Sequence, residues 1–420
     1  MFYRNIIRIM KRIFFISIIL LMPLLSCQQL ADIVGTNYDD GLSYPNSSME
    51  SKNFKTIVFS SSGTQLEKNY KFYKVKEYDK LIIYVEENSG YKNESLDYIA
   101  KVFNDNYAEE VRIYGNHTDV DKNGKIIILL FEINSNYEGS VVTGYFYSGD
   151  LILGYHNNAE ILYMDIKLVN EDPQYMAGTI QHEFQHLINF NVNYIESNKE
   201  MSTWLNEALS ESTSVLFSPY TVNSRINEFN LSTSGYYCFY TWDLPLNVFA
   251  NYPSASVFMN WLYEKNSRNS SVFQSIAKDS SANDYQRVFN NVNSFTSASS
   301  WDDLLFKWLE GINNKEVSGA ELKIQNAGTS ISLFLGALVA YSGTLTQTDA
   351  NLVTANLGGG IELALNKDTY IGNNPNYINI KIPASSSVQA SKTYKTADDK
   401  PYIPKYRHIL FDKDGEIKKY

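Results

Sequence analysis

The stretch GTIQHEFQHLINF, residues Gly178 to Phe190, contains the pattern His-Glu-x-x-His and decides how the rest of the chain is interpreted. His182 and His186 lie four residues apart, so on a helix they share one face and present two imidazole nitrogens to a single ion. Glu183 is turned about 100° from His182, so its carboxylate misses the ion and can reach a water molecule beside it. The simpler alternative is a buried helix with two hydrogen-bonded histidines. The metal-site hypothesis therefore depends on a third ligand.

A candidate third ligand follows in TWLNEALSESTSVLF, residues 203–217, whose apolar spacing predicts a second helix. A catalytic zinc site normally has three protein ligands and an open position for water. A turn of about a dozen residues and a returning helix can bring Glu207 to the two histidines. Glu211 lies one turn later on the same face and can hydrogen-bond a ligating histidine. The alternative is that Glu207 is a solvated carboxylate and another residue completes the site.

The spacing of these motifs resembles that of the gluzincin metallopeptidases, of which thermolysin is the best-known member. The resemblance is fuller to the hyicolysin-like neutral zinc metallopeptidases, because DVDKNGKIIILLFEIN and GYFYSGD stand upstream of HEFQHLI. It covers roughly Leu81 to Lys265 and leaves out the C-terminal part of the chain. It implies an α+β fold with a zincin-type, thermolysin-like catalytic domain, in which a mixed-sheet lobe precedes a helical lobe.

The resemblance implies a role for each of the five residues. His182, His186 and Glu207 are the implied zinc ligands, Glu183 the general base, and Glu211 the carboxylate that orients a ligating histidine. The implied activity is that of an endopeptidase, which hydrolyses peptide bonds in proteins or peptides through a zinc-activated water. The implied cofactor is Zn²⁺.

A second donor to the oxyanion of the tetrahedral intermediate is also expected. Thermolysin-type enzymes use a downstream histidine, whereas the only histidine after the motif is His408. The segment NYPSASVFMNWL resembles the place where other gluzincins carry a tyrosine before a helix, so Tyr252 is predicted in this role. The alternative is a core or turn tyrosine, since the chain has 32 tyrosines. The resemblance also implies that AEILYMDI, residues 159–166, binds the substrate backbone as an added strand.

The N-terminal stretch MFYRNIIRIMKRIFFISIILLMPLLSCQQL, residues 1–30, resembles a bacterial lipoprotein signal. Basic residues precede an apolar run from Ile13 to Leu25, which is shorter than the roughly 20 residues that span a bilayer. Leu-x-Ser-Cys closes the run, so cleavage would leave Cys27 as the first, lipid-carrying residue. This predicts an exported lipoprotein on a bacterial outer membrane or cell surface, in contact with the membrane through its lipid. An uncleaved or differently cleaved signal is the alternative.

The charge balance argues against a nucleic-acid partner. Asp plus Glu number 46 against 36 Lys plus Arg, for a net charge of -10, whereas phosphate binding needs a basic face. Cys27 and Cys238 are the only cysteines, so a lipidated Cys27 leaves no intrachain disulfide. We expect a monomer that packing and metal binding stabilise.

Composition changes along the 420 residues predict five segments. Strand-like runs on both sides of a helical pattern indicate a mixed sheet, and Asp172-Pro173 predicts the start of the helix that carries the two histidines. The segments are a lipoprotein signal peptide at 1–26, a lipid anchor and flexible tether at 27–54, a mixed-sheet lobe ending in the active-site helix at 55–190, a helical lobe at 191–316 and a β-rich C-terminal module at 317–420.

The loop DVDKNG, residues 119–124, begins like a calcium loop. An EF-hand needs a bidentate Glu at its twelfth position, where this chain has Leu130. The same residue types suit a turn between secondary-structure elements, because Asp and Asn bond locally and Gly adopts positive φ. The turn is the favoured interpretation and calcium binding the alternative.

Two other functions are compatible with the sequence. One is a lipid-anchored surface binding protein or adhesin on a catalytically silent zincin scaffold, although the intact Glu183 argues against it. The other is an aminopeptidase of the same class, and no Gly-rich motif for capturing a substrate amino terminus is evident in the sequence. Cleavage of peptides with blocked termini separates the endopeptidase from the aminopeptidase.

Overall fold

The computed structural model describes residues 41–60, 64–134, 141–231, 236–242, 248–281, 283–325, 328–343, 345, 349–367, 378–382 and 406–411. The chain divides into two compact units, residues 1–43 and residues 44–420, and only residues 41–43 of the first unit are described. All the elements below belong to the second unit. The predicted signal peptide and Cys27 lie outside the described residues, so lipid attachment stays a prediction.

A seven-stranded mixed sheet forms the centre of the described part of the fold. Its strands are β1 (Ser51–Phe59), β2 (Gln65–Glu77), β3 (Leu81–Glu86), β4 (Ile126–Phe131), β5 (Val141–Phe146), β6 (Ile161–Asp165) and β14 (Tyr406–Leu410). They lie in the order β1-β2-β3-β4-β6-β5-β14. Neighbours from β1 to β3 are antiparallel, β4 is parallel to both β3 and β6, and β5 is antiparallel to β6. The predicted α+β class with a mixed sheet is therefore confirmed.

Helices pack on one face of this sheet, and a second apolar cluster covers the other face. Strand β4 is buried along its whole length, as expected for an inner strand that is covered on both faces. The helices, in chain order, are α1 (Asn93–Tyr114), α2 (Ile166–Glu171), α3 (Pro173–Asn189), α4 (Thr203–Phe217), α5 (Pro219–Leu231), α6 (Val248–Lys265), α7 (Ser271–Lys278), α8 (Asp284–Thr296) and α9 (Trp301–Asn313). Within the described ranges, none of these helices combines the length and hydropathy needed to cross a bilayer.

Strand β6 is shorter than the sequence indicates, because its last residue starts a helix. The carboxylate of Asp165 accepts hydrogen bonds from the backbone N–H groups of Lys167 and Leu168, which caps α2 and ends the strand. The prediction that residues 159–166 bind substrate as an edge strand is wrong. Strand β6 pairs with β4 on one side and with β5 on the other, so its backbone groups are already used.

Short strands make up most of the described part of the chain after residue 323. They are β8 (Ile324–Gln325), β9 (Ser330–Leu333), β10 (Leu338–Ser342), β11 (Leu352–Gly358), β12 (Ile361–Asn366) and β13 (Ile378–Lys381), whereas β7 (Tyr236–Tyr237) lies earlier, between α5 and α6. A five-stranded sheet contains β11-β12-β10-β7 with β8 beside β10, and β13 pairs with β9. Pairing of β7 with β10, and of β14 with β5, joins segments that the predicted domain boundaries separate. The division into lobes stays a prediction.

Candidate metal centre

Helix α3 carries the two histidines of the opening motif on one face. It starts where predicted, because Asp172 accepts a hydrogen bond from the N–H of Tyr175 at 3.1 Å and Pro173 occupies the first turn. The Nε2 atoms of His182 and His186 lie 3.1 Å apart, and both side chains are buried. The one-turn spacing read from the sequence therefore places two imidazole nitrogens at one point.

Packing against α1 fixes the orientation of α3. Phe184, on the face away from the histidines, makes an edge contact with Phe103 at a ring-centroid distance of 5.1 Å and stacks on Tyr107 at 5.6 Å. His117 also lies 5.6 Å from the Phe184 ring, and its Nε2 is 2.6 Å from the Tyr107 hydroxyl. Burying a Phe side chain contributes about 1.5–3 kcal/mol to folding. The helix is thus held rigidly on the side opposite the site.

Glu207, on α4, completes a group of three ligand-type residues. Its Oε2 lies 3.3 Å from His182 Nε2 and 3.6 Å from His186 Nε2. This Oε2 is buried and has no hydrogen-bond partner, which is costly for a carboxylate unless a cation is present. A tetrahedral zinc ion with ligands at about 2.0–2.2 Å separates those ligands by roughly 3.3–3.6 Å. The two separations that involve Glu207 fall in this range and the 3.1 Å between the histidine nitrogens is slightly shorter, so the three atoms are close to a zinc geometry, and their role as ligands stays a prediction.

Neighbouring residues on α4 hold the imidazole of His186. Its Nδ1 lies 3.1 Å from Asn206 Oδ1 and 3.0 Å from Ser210 Oγ. A proton on Nδ1 that is donated to Asn206 leaves the lone pair of Nε2 pointing at the ion position. Both residues lie in the stretch TWLNEALSESTSVLF, but these roles were not predicted from it. What could have indicated these roles is the position of Asn206 and Ser210 near Glu207 on one predicted helix.

Glu211 contacts the other histidine and belongs to a buried ion-pair network. Its Oε1 lies 3.6 Å from His182 Nδ1, on the side expected of a carboxylate that orients a ligand. Arg225 donates to Glu211 from Nη2 at 2.7 Å and from Nε at 3.0 Å, and donates from Nη1 to Glu228 at 3.0 Å. Arg225 is 1% exposed. The role of Arg225 was not predicted, since the residue belongs to none of the motifs in the sequence and lies only within the predicted helical lobe at 191–316.

Tyr252 lies at the site, where it contacts a candidate ligand. Its hydroxyl donates to Oε1 of Glu207 at 3.3 Å. The ring packs edge-on against Trp242 at 4.7 Å, and the Arg225 guanidinium lies over it at 5.1 Å. In this structure Tyr252 therefore supports Glu207, and its predicted role as oxyanion donor stays a prediction.

Glu183 lies beside the three ligand-type residues and is fully buried. Its Oε2 accepts a hydrogen bond at 3.0 Å from the backbone N–H of Phe146, the last residue of β5. Strand β5 pairs with β14 on its other side. Burial raises the pKa of Glu183 to about 8, with repulsion from Glu207 adding to the rise and attraction to His186 opposing it. A carboxylate with a raised pKa is suited to accept and return a proton near neutral pH.

The charges of the three ligand-type residues are tightly coupled. Burial alone would raise the pKa of Glu207, but attraction to His186 and the close contacts of its carboxylate with both histidines lower it to about 2. Burial lowers the pKa of His182, and the nearby carboxylate of Glu207 partly opposes this change. Burial also opposes the charged form of His186, yet the charge of Glu207 raises that pKa overall. The negative charge of Glu207 thus favours a positive charge beside it, either a protonated His186 or a cation.

Comparison with known proteins relates part of the chain to a metalloprotease. No family model matches the chain. The chain is 30% identical over 181 residues to the neutral metalloprotease ShpI of Staphylococcus hyicus, a match that covers 40% of this chain and 41% of the relative. A protealysin precursor, a metalloproteinase from Serratia proteamaculans, aligns with a TM-score of 0.28 and 8% identity over 67% of this chain and 93% of the other. A TM-score this low carries no weight in assigning the fold, so what ties the chain to metalloproteases is the partial sequence relationship.

Proposed function

We propose that the protein is a zinc-dependent endopeptidase that acts outside the cytoplasm on proteins or peptides. The observation that supports this proposal is the convergence of His182, His186 and Glu207, with the carboxylate of Glu183 next to them. The partial similarity to a neutral metalloprotease agrees with it. A buried pair of structural histidines would not require an unpartnered carboxylate oxygen between them.

His182, His186 and Glu207 hold the zinc ion in this proposal. Two imidazole nitrogens and one carboxylate oxygen match the ligand set of catalytic zinc in gluzincin-type peptidases. When bound, zinc supplies Lewis-acid chemistry, which polarises the scissile carbonyl and stabilises developing negative charge. Asn206 and Ser210 keep the His186 ring in the tautomer that can bind the ion.

Glu183 moves the protons of the reaction. The N–H of Phe146 fixes its Oε2, and the carboxylate of Glu183 accepts a proton from the attacking water. The same carboxyl then returns that proton to the leaving amine, so the bond to nitrogen breaks without forming an amide anion. Tyr252 is the proposed oxyanion donor. This role requires its hydroxyl to exchange the bond to Glu207 for one to the substrate oxygen.

Cellular location and partners complete the proposal. Cleavage before Cys27 and lipid attachment would tether the protein to a bacterial outer membrane or cell surface. The partners are then a protein or peptide substrate and the membrane, without a nucleic acid, and the chain acts as a monomer. The acidic net charge of -10 supports the exclusion of nucleic acid.

The test of the proposed activity is hydrolysis of casein by the full chain in detergent, loaded with zinc. We expect new peptide amines to appear, a chelator to stop the reaction, and zinc to restore it. Peptides blocked at both termini should also be cut, because an endopeptidase does not need a free amino terminus. If the zinc-loaded chain leaves casein and blocked peptides intact, the endopeptidase proposal is wrong.

Removing the third ligand should abolish zinc binding. We expect Glu207→Ala to lose bound zinc, because two histidines alone leave the ion without its anionic ligand. Zinc content after dialysis, measured by atomic absorption, gives the result. Glu183→Gln serves as the matched control, since it changes a buried carboxylate on the same site and should keep the metal. Full zinc occupancy in Glu207→Ala would show that another residue is the third ligand.

A further inference from the structure

A second group of carboxylates lies apart from the histidine centre, at the amino-terminal ends of β4 and β6. Asp119 and Asp121 belong to the loop between α1 and β4, and Glu160 directly precedes β6. One ligand atom from each of the three lies within 4.8 Å of the others. Residues distant in sequence are thus brought to one point by the parallel pairing of the two strands.

Glu160 carries the observation that points to a ligand. The residue is 1% exposed, and its Oε1 accepts a hydrogen bond at 2.8 Å from the N–H of Val120, which lies between the two aspartates. The other oxygen, Oε2, is buried and has no hydrogen-bond partner. A buried carboxylate oxygen with no donor is costly, and a bound cation is one physical way to satisfy it.

The loop has the order of residues that calcium loops use in their first half. Asp119, Asp121 and Asn123 stand at positions one, three and five, and Gly124 at position six has φ +67°, as the sharp turn requires. The sequence argues against an EF-hand because the carboxylate at position twelve is missing. Leu130 occupies that position and is buried in β4. The structure places Glu160, which directly precedes the neighbouring strand β6, beside the loop.

We propose that Asp119, Asp121 and Glu160 form a calcium site. Three carboxylates are hard oxygen ligands, which calcium accepts in irregular sets of six to eight oxygens at about 2.3–2.6 Å. Zinc prefers sites that include nitrogen or sulfur, and magnesium demands near-octahedral geometry, so neither suits this group as well. Water and backbone carbonyls of the loop are available to fill the remaining coordination positions.

Calcium at this site would support the helix that carries the histidines. The ion joins the loop to the start of β6, and the loop follows His117, whose ring packs on Phe184. Phe184 lies between Glu183 and Gln185 in the opening motif. Loss of the ion would therefore loosen a contact behind α3 without removing any residue of the zinc site. The expected consequence is lower thermal stability of the zinc-loaded protein.

The test measures the melting temperature of the full chain, stripped of metal and reloaded with one equivalent of zinc. We expect about 10 mM calcium, above the Kd of weak extracellular calcium sites, to raise Tm by at least about 3 °C. The same concentration of magnesium should raise it by less than half as much. Zinc content, measured before and after, must stay constant, which shows that the histidine centre is unchanged.

Two substitutions locate the site. Asp119→Asn keeps an acceptor for the N–H of Gly124, which lies 3.0 Å from Asp119 Oδ1, but removes the charge, so the exposed loop can still fold. Glu160→Gln makes the same change at the buried ligand. Both should abolish the calcium-dependent rise in Tm and weaken calcium binding in calorimetry at least tenfold. Asp105→Asn, at a carboxylate whose side chain is 57% exposed, should keep the full rise.

The proposal is overturned by any of three results. One is no rise in Tm of the unsubstituted protein with calcium. Another is a full rise in Asp119→Asn, which tests the site even if Glu160→Gln fails to fold. The third is an equal rise with magnesium, which would make the site non-selective for calcium. None of these outcomes depends on peptidase activity, so the calcium site and the proposed function are tested separately.

Discussion

Glu183→Gln should lower kcat for casein or a blocked peptide by about 10²–10⁴-fold while zinc content stays the same. The substitution keeps the size of a fully buried side chain and an acceptor for the N–H of Phe146. It removes the group that takes a proton from water, because an amide is not a base near neutral pH. KM should change little, since Glu183 is proposed to act on the attacking water rather than to bind substrate.

The control for this experiment is Glu171→Gln, which removes an exposed carboxylate just before α3 and should leave kcat unchanged. Zinc content, far-UV circular dichroism and melting temperature of each variant exclude loss of metal or fold. Turnover within threefold of the unsubstituted protein, at equal zinc content, would contradict the assignment of Glu183 as general base. It would leave the metal site itself intact and direct attention to another acid–base group.

The helix that carries the motif was predictable because its signals are local. Asp172 and Pro173 mark its start, and the four-residue spacing places both histidines on one face. The position of Glu207 beside the histidines could also be predicted from the sequence. A second helix that follows after a short connection has few places to pack other than against the first. The mixed sheet was also predictable from local patterns, because runs of β-branched and aromatic residues stand on both sides of a helical pattern.

The order of strands was not predictable, because it depends on long-range pairing. Nothing within residues 159–166 shows that β6 inserts between β4 and β5, so that β5 pairs with its second edge. The pairing of β14 with β5 joins segments more than 250 residues apart in the sequence. The wrong prediction of a substrate-binding edge at β6 has this cause. The third member of the proposed calcium site, Glu160, was missed for the same reason, because an EF-hand pattern searches only along the chain.

Arg225→Met should lower the free energy of unfolding by about 3–5 kcal/mol in the metal-free protein. The guanidinium is 1% exposed and satisfies two buried carboxylates, Glu211 and Glu228. Methionine matches the length of the stem but leaves both acids without a cation in a low-dielectric interior. Attraction between the three groups is screened less there than at the surface, which is why loss of this cation costs more than loss of a surface ion pair. Denaturant unfolding, followed by intrinsic fluorescence, measures the effect.

The matched control is Arg268→Met, whose side chain is 70% exposed and pairs with Glu264 on the surface. It should leave the unfolding transition unchanged within error, because water replaces a surface partner. Arg225→Met should also bind zinc about 10–100-fold more weakly, since Glu211 then no longer holds a fixed position beside His182 Nδ1. Denaturation indistinguishable from that of the Arg268 control would refute the structural role of the network. Unchanged zinc affinity in a destabilised Arg225 variant would instead separate the two roles, because Glu211 would then orient His182 without its arginine.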